Sequence, residues 1–539
     1  LPESPDTPAQ DDLSRRGYLA EFPPRRWHLI AIALSIAAVY LVGVTDQWWP
    51  TSDSALYQGL GRSLIRGEGY RFNGQVSNDV TPGMPLILGA LRAVFGEGFL
   101  APSLFVTFCG LISLYLAYVT LARLTDRRMA LAVVLGAAAC YKYFHYSHLI
   151  LTDAVFSALF WALAYVSLRF LQGGFAWLLA AVGLAVTAVA VRAPGLLIIG
   201  PFAVGVIVHR DCPSGLLKRL VGGAAILGAV GAAAVVFYLL ARAVSDKMPL
   251  YVTARVLETN LSIRFRALAS GLYGLPTELS RAYTAQRMPS LGVAFCLLAI
   301  LGMLHLGRKG NNLASATCLL FALGSGFLAG PGSIRARYMM AISPMFLFLM
   351  IDGLCRLIEL AHRWRPKPAN PRAFLIATTV FLFCVIATNL PKILRDAVYH
   401  SYAAHTGRYY EVLRDGQFID LLPVASLLRE RFGPGAVVAT RRDRAPVLHF
   451  LSECRTVPFR RTKRETDADA EAIYSDLSAR DDIRAVVTEA RRAAEPFRRR
   501  LGEILSSGGA TVIYEGQRRK VYDWPAAKRS TRPAAERAP

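Results

Sequence analysis

The chain has 539 residues, is 54% hydrophobic, and carries a formal charge of +23 with a mean hydropathy of +0.36. A soluble protein of this length would have more charge and fewer long apolar runs, so the composition excludes an ordinary soluble enzyme. Nucleic acid is not expected as a partner, because most basic clusters sit in short loops between apolar runs, where they set topology.

The N-terminal arm, residues 1–27, carries Arg15, Arg16, Arg25 and Arg26 and is expected in the cytoplasm. The first apolar run, His28 to Val44, lacks a small-residue cleavage site and reads as a retained span. Spans are expected at roughly 28–46, 100–122, 129–144, 152–171, 175–191, 195–208, 220–241, 289–307, 313–330, 338–361 and 373–390. The fold class is thus a polytopic α-helical membrane protein, with about 11–13 transmembrane helices in residues 28–395. Nearly every short loop assigned to the cytoplasm is basic, which supports the alternation.

Residues 47–98 form the first outer loop. Trp48 and Trp49 read as interfacial anchors, and Ser52 as the N-cap of an amphipathic helix bearing Leu56, Leu60 and Leu64. "TPGMPLILGALRAVFG" (Thr81–Gly96) is apolar but short for a span and reads as a re-entrant or interfacial helix. Residues 242–288 read as a longer polar outer stretch. Six of the eight cysteines lie in apolar runs, and no disulfide or zinc spacing emerges.

After Asn389 the composition changes. "AVVAT", "IRAVVTE" and "ATVIYEG" are short β-branched runs alternating with helical segments, so residues 400–525 are expected to form an α/β domain with a parallel sheet. By the alternation this soluble domain is extracytoplasmic. The tail, 526–539, is basic and rich in Ala and Pro, a composition expected to be disordered.

Two carboxylates stand out. Asp53 follows the first span and Asp153 opens the fourth, and topology puts both at the outer face. Either can be read simply as a helix-terminus charge. Asp153, however, abuts hydrocarbon, where ionisable groups are costly and mark function. His148 lies one or two turns earlier and is a metal-ligand or substrate-contact candidate, although a lone histidine is more often just hydrogen-bonded at an interface. Arg192, Arg335 and Arg337 fall on the outer side, against the usual bias, and suit an anion. Lipid headgroups are the bland alternative for them. Arg255, Arg264 and Arg266 carry the same reading with less weight. Outer carboxylates beside outer arginines suggest chemistry on a lipid-linked phosphate. "GLGRSL" is not a P-loop, and no G-x-S-x-G or H-E-x-x-H motif occurs.

"YQGLGRSLIRGEGY" behind a single acid resembles the first outer loop of the C-type (GT-C) glycosyltransferase superfamily. "TPGMPLILGALRAVFG", "SHLILTDAVFSALFWAL", "RARYMMAISPMFLFL" and "GPGAVVATRRDRAPVLHFLSECRTVPF" resemble successive later segments of its bacterial members. The resemblance covers nearly the whole chain and is closest to glycosyltransferase family 39, the protein mannosyltransferases and aminoarabinose transferases. It implies a GT-C fold in the cell membrane. It also implies inverting transfer from a polyprenyl-phosphate sugar to a lipid, glycan or protein acceptor. It assigns Asp53 the base role and puts Asp153 near the acceptor or a metal. Positive charge on the leaving phosphate comes from Arg337, Arg192 or a divalent cation, with Arg335 beside them and a hydrogen bond from Tyr338. A transporter or flippase of lipid-linked sugars is the alternative, because intramembrane acids also line transport paths.

Overall fold

The computed structural model describes residues 26–77, 80–192, 195–209, 215–244, 261–284, 286–329, 337, 339–363, 371–412, 418, 420–441, 445–459, 467–480, 482–489, 495–516 and 519–524. The arm before residue 26 and the tail from 526 therefore lie outside the described residues, as do Arg255, Arg335 and Tyr338. The chain divides into two compact units, the first comprising residues 1–46, 78–84 and 98–401 and the second residues 47–77, 85–97 and 402–539.

The first unit is helical. Among the described residues five helices are long and apolar enough to cross a membrane: Leu100–Leu124, Thr152–Gln172, Leu216–Leu239, Pro289–Arg308 and Arg372–His405. The helices Arg26–Val42, Ala176–Val191, Leu196–Val208 and Leu313–Gly324 are apolar but shorter. At about 1.5 Å per residue, a helix of that length falls short of a hydrocarbon core about 30 Å thick. Length thus sets apart the expected spans 28–46, 175–191 and 195–208, whereas helix Ser343–Arg363, in the expected span 338–361, has 21 residues but carries several charges. The expected span 129–144 is broken at Ala139–Cys140 into helices Arg127–Ala138 and Tyr141–Ser147. The stretch expected as a polar loop contains a helix, Leu261–Thr284, whose end is buried at Leu279, Ala282 and Tyr283.

Helix Ser343–Arg363 keeps Asp352 in the interior by pairing it with His305 Nδ1 at 2.7 Å. The same two helices meet where Gly302 and Gly353 each face the other's backbone, so the lack of a Cβ sets their close approach. Helix Pro371–Leu394 continues through a π-helical turn, Arg395–Tyr399.

The second unit holds a five-stranded sheet. Its strands are β3 (Val437–Arg441), β4 (Arg455–Phe459), β5 (Ile483–Glu489), β6 (Thr511–Glu515) and β7 (Arg519–Asp523), in the order β4-β3-β5-β7-β6. β4, β3 and β5 are parallel, whereas β7 runs antiparallel to both β5 and β6. The sheet is therefore mixed, not parallel throughout: the strands linked through helices run parallel, and the β6–β7 hairpin adds the antiparallel edge. One face packs on helices Asp467–Ser478 and Glu495–Ser507 through Ile473, Leu501 and Leu505. The other packs on helix Leu421–Phe432 through Val424 and Leu428.

The first outer loop does not stand apart from this domain. Its hairpin β1 (Arg71–Phe72) and β2 (Gln75–Val76) carries Asn73 at the tip, in the left-handed region at φ 56°. The Asn73 amide donates to Thr456 O and accepts from Thr456 N, both at 2.7 Å, and so pairs with the exposed edge of β4. Trp48 is correspondingly not an interfacial anchor. It is buried, donates from Nε1 to Ser54 Oγ at 3.0 Å, and stands edge-on to Phe450.

Candidate functional site

In the first unit, helix Thr152–Gln172 turns directly into helix Ala176–Val191. Antiparallel neighbours bring the start of one beside the end of the other. Asp153 occupies the first turn of the former, and Arg192 follows the last residue of the latter, each carrying the charge its helix end favours. The two meet: Arg192 Nη1 donates to Asp153 Oδ1 at 2.5 Å and to Thr152 Oγ1 at 3.1 Å. Arg337 Nε donates to the other carboxylate oxygen, Oδ2, at 2.8 Å. Asp153 is 2% exposed and Arg192 7%. Three residues singled out in the sequence thus form one centre, in which the carboxylate is clamped between two guanidiniums.

Next to this centre lies the short helix Tyr141–Ser147, which sequence reasoning placed partly inside a span. Tyr146 neighbours Asp153, Arg337, Arg281 and Glu278. Lys142 lies among Arg281, Lys392 and Glu278. Tyr141 donates to Asp396 Oδ2 at 2.7 Å, and its backbone N–H donates to Asn389 Oδ1 at 2.9 Å. His145 approaches the same Asp396 at 3.7 Å, and Arg395 pairs with its other oxygen at 3.1 Å. Lys142, Arg281 and Lys392 were missed. The readable signal was the lysine within the aromatic run "YKYFHYSH", which interrupts an otherwise apolar stretch.

His148 is placed differently from its expected role. Its Nδ1 lies 2.8 Å from Phe144 O and its Nε2 2.7 Å from Tyr40 O, so main-chain carbonyls occupy both ring nitrogens. Both Asp153 oxygens are likewise engaged by arginines. This donor set does not fit a divalent cation. Among the described residues, no group of three His, Cys, Asp or Glu side chains converges as metal ligands.

Asp53 lies in the second unit, in the first turn of helix Ser52–Ile65 and partly buried. The N-cap is Thr51 and not Ser52. Thr51 Oγ1 accepts from Ser54 N at 3.1 Å, and Ser54 Oγ accepts from Thr51 N at 3.1 Å, a reciprocal box that fixes the helix start one residue before the aspartate's turn. The buried face follows Ser54, Ala55, Tyr57, Gln58, Leu60 and Gly61, leaving Leu56 and Leu64 only partly covered. Gly61 crosses the helix Gly83–Phe95 closely: a Cβ there would stand 2.8 Å from Pro85 O and 2.9 Å from Gly89 N. "GLG" is therefore a helix-crossing notch.

Beyond that notch the same helix lines a groove of about 630 Å³. Arg62, Arg66, Arg71 and Arg455 project into it, with Glu68 and Glu453 as its acids. Glu453 sits at φ 59°, in the left-handed region just past helix Ala445–Ser452, where glycine is the usual residue. Its carboxylate receives Arg62 at 3.1 Å and Arg66 at 3.2 Å. Burial raises the Glu453 pKa, but Arg66, Arg62 and Arg429 outweigh it and hold the carboxyl below its ordinary value. His449 accepts from Asn73 N at 2.9 Å through Nε2, and its Nδ1 faces Cys454 O at 2.6 Å. Burial pushes its pKa down.

Of the remaining expected residues, Arg266 is exposed on helix Leu261–Thr284, and Arg264 belongs to the same helix.

No protein-family model matches the chain. No curated protein matches it in sequence. In structure it is similar to ArnT from Cupriavidus metallidurans bound to undecaprenyl phosphate, with a TM-score of 0.56 and 15% identity over 94% of this chain and 99% of that one. The apo state of that protein gives the same TM-score over 93% of this chain and 98% of that one. The apo oligosaccharyltransferase of Archaeoglobus fulgidus is similar with a TM-score of 0.50 and 13% identity, over 86% of this chain and 70% of that one. The chain therefore shares the fold of these proteins over nearly its whole length, and among its described residues five helices are long and apolar enough to cross a membrane.

Proposed function

We propose that the protein is an inverting glycosyltransferase that moves a sugar from a polyprenyl phosphate to an acceptor hydroxyl at the outer face of the cell membrane. The observation that carries this reading is the Asp153 centre, a buried carboxylate that fixes two guanidiniums within a GT-C fold. A guanidinium has five N–H donors, so pairing with Asp153 and receiving a phosphate are compatible. In this reading Asp153 is a positioning residue, and Arg192 and Arg337 stabilise charge on the leaving phosphate. Arg335 and Tyr338 are proposed to join them, with Lys142, Arg281 and Lys392 adding positive potential.

In the reaction the acceptor oxygen bonds to the anomeric carbon, and the bond from that carbon to the phosphate oxygen breaks. The electron pair leaves with the phosphate, a weak base that needs no general acid. The acceptor proton passes to the Asp53 carboxylate. Attack opposite the leaving group inverts the anomeric centre, with no covalent intermediate. The C-terminal domain is proposed to be extracytoplasmic, on the side where Asp53 works.

The test is to incubate membranes containing the protein with labelled polyprenyl-phosphate sugars and to identify the product. Appearance of a labelled glycoside of inverted configuration supports the reading. Movement of the labelled lipid across liposomes without turnover would replace it with a flippase.

A further inference from the structure

The proposed reaction uses the start of helix Ser52–Ile65, yet the helix continues into a groove that chemistry at Asp53 does not require. Arg62 lies nine residues after Asp53, about 14 Å along the axis at 1.5 Å per residue. The groove's four arginines outnumber its two glutamates. Glu453 is already committed to Arg62 and Arg66, and Arg429 stands 3.9 Å from its second oxygen. Among the described residues Arg71 and Arg455 have no acidic partner at all. They lie on β1 and β4, on two walls of one concavity, with the Asn73–Thr456 pairing between the hairpin and the sheet edge holding the walls together.

Two further features mark the groove as built. Asn73 and Glu453, the non-glycine residues of positive φ among those described, both line it. At each position the uncommon backbone serves a wall: Asn73 clips the hairpin to β4, and Glu453 fixes the directions of Arg62 and Arg66. Arg62 also keeps a buried Nε–H without a hydrogen-bond partner and lies over the Phe450 ring at 4.4 Å. Phe450 itself is buried beneath Arg62, so the clamped arginine and the two exposed guanidiniums without an acidic partner among the described residues make a surface for a polar body that carries an oxyanion.

We propose that this groove is an acceptor-recognition subsite that binds a phosphate or carboxylate carried on a glycan, well away from the hydroxyl that reacts. The oxyanion is shared by Arg71 and Arg455, and the sugar body lies in the groove on the side of Arg62. Its role in choosing the acceptor rests on the transferase reading, whereas its affinity for the anion does not.

The test measures binding to the full chain in detergent by calorimetry, using glucose 1-phosphate, glucuronate and glucose as probes. Glucose 1-phosphate or glucuronate is expected to bind at least tenfold more tightly than glucose, and the stronger of the two names the source of the oxyanion. The double variant Arg71→Gln/Arg455→Gln is expected to lose at least tenfold in that affinity with its unfolding temperature unchanged. Should it unfold early, Arg71→Gln alone, on the exposed hairpin, is expected to lose at least threefold. Equal binding of glucose, or variants that bind as tightly as the parent, would overturn the subsite. Turnover that persists in the double variant with an unchanged acceptor KM would remove the subsite and leave the transferase standing. Anion binding lost in the variant, from a protein that transfers no sugar, would do the reverse.

Discussion

Asp153 and Arg192 are joined at 2.5 Å with both side chains almost wholly withdrawn from solvent, and Arg337 completes the clamp from the other oxygen. Removing the carboxylate would leave buried positive charge facing positive charge. Asp153→Asn is therefore expected to destabilise the protein by about 3–5 kcal/mol, the usual result of breaking one side of a buried pair. Thermal unfolding in detergent reads this directly. Unfolding at the parental temperature would mean that the clamp contributes nothing.

Asp53 has a different expected signature. Its neighbours Thr51 and Ser54 fix the helix start without it. Asp53→Asn should lower sugar transfer by about 10²–10⁴-fold, the range general-base catalysis supplies. Binding of the polyprenyl phosphate and the unfolding temperature should stay as they were. Full turnover by this variant would remove Asp53 from the mechanism.

Acid should weaken the second unit in two stages. Burial holds His449 below the ordinary imidazole pKa, so folding disfavours its proton. The stability this contributes is complete above the unfolded value of about 6.5 and is lost as pH falls through the lower folded value. Protonation also removes the acceptor that Asn73 N–H uses. Glu453, held down by its arginines against burial, acts further into acid. Its contribution is present above about 4.3 and is lost as pH falls through its depressed value. A pH series of unfolding temperatures should slope downward below about 6.5, and His449→Gln should flatten that limb. The same slope in the variant would assign it to another group.

Gly61→Ala tests the helix crossing. A methyl group would press on the backbone at Pro85 and Gly89, which cannot rotate aside as a side chain would. A loss of about 1–3 kcal/mol is expected, as for overpacking elsewhere. Gly98→Ala, where a Cβ meets nothing within 4 Å, is the control for substitution as such.

How much of this the sequence disclosed depended on the range of each interaction. The strands at "AVVAT", "IRAVVTE" and "ATVIYEG" are local β-branched runs and are found where expected. That the sheet is mixed was not legible, because strand direction is set by the hairpin into β7, a pairing that no local pattern encodes. Asp153, Arg192 and Arg337 were each legible as charges out of place, but their pairing was not. Arg192 comes 39 residues later and Arg337 184, and only the helix packing brings them to one carboxylate. Trp48 was misread for the same reason: its partner, Phe450, lies some four hundred residues downstream.

That last separation also orders events in the cell. The helix bearing Asp53 leaves the ribosome early, whereas the backbone oxygen of Phe450 that receives Arg62 follows 388 residues later. At about 5–20 residues per second, that interval is on the order of 20 to 80 s. Throughout it Arg62 lacks the Phe450 carbonyl and the Glu453 carboxylate, and Trp48 lacks the ring it stands against. A chain whose synthesis stops before residue 400 would hold both conspicuous carboxylates, yet the helix carrying the first of them would keep its crossing with helix Gly83–Phe95 and lack its packing against helix Ala445–Ser452. The helix bearing Asp53 thus gains its full set of contacts only after residues 402–539 have been made.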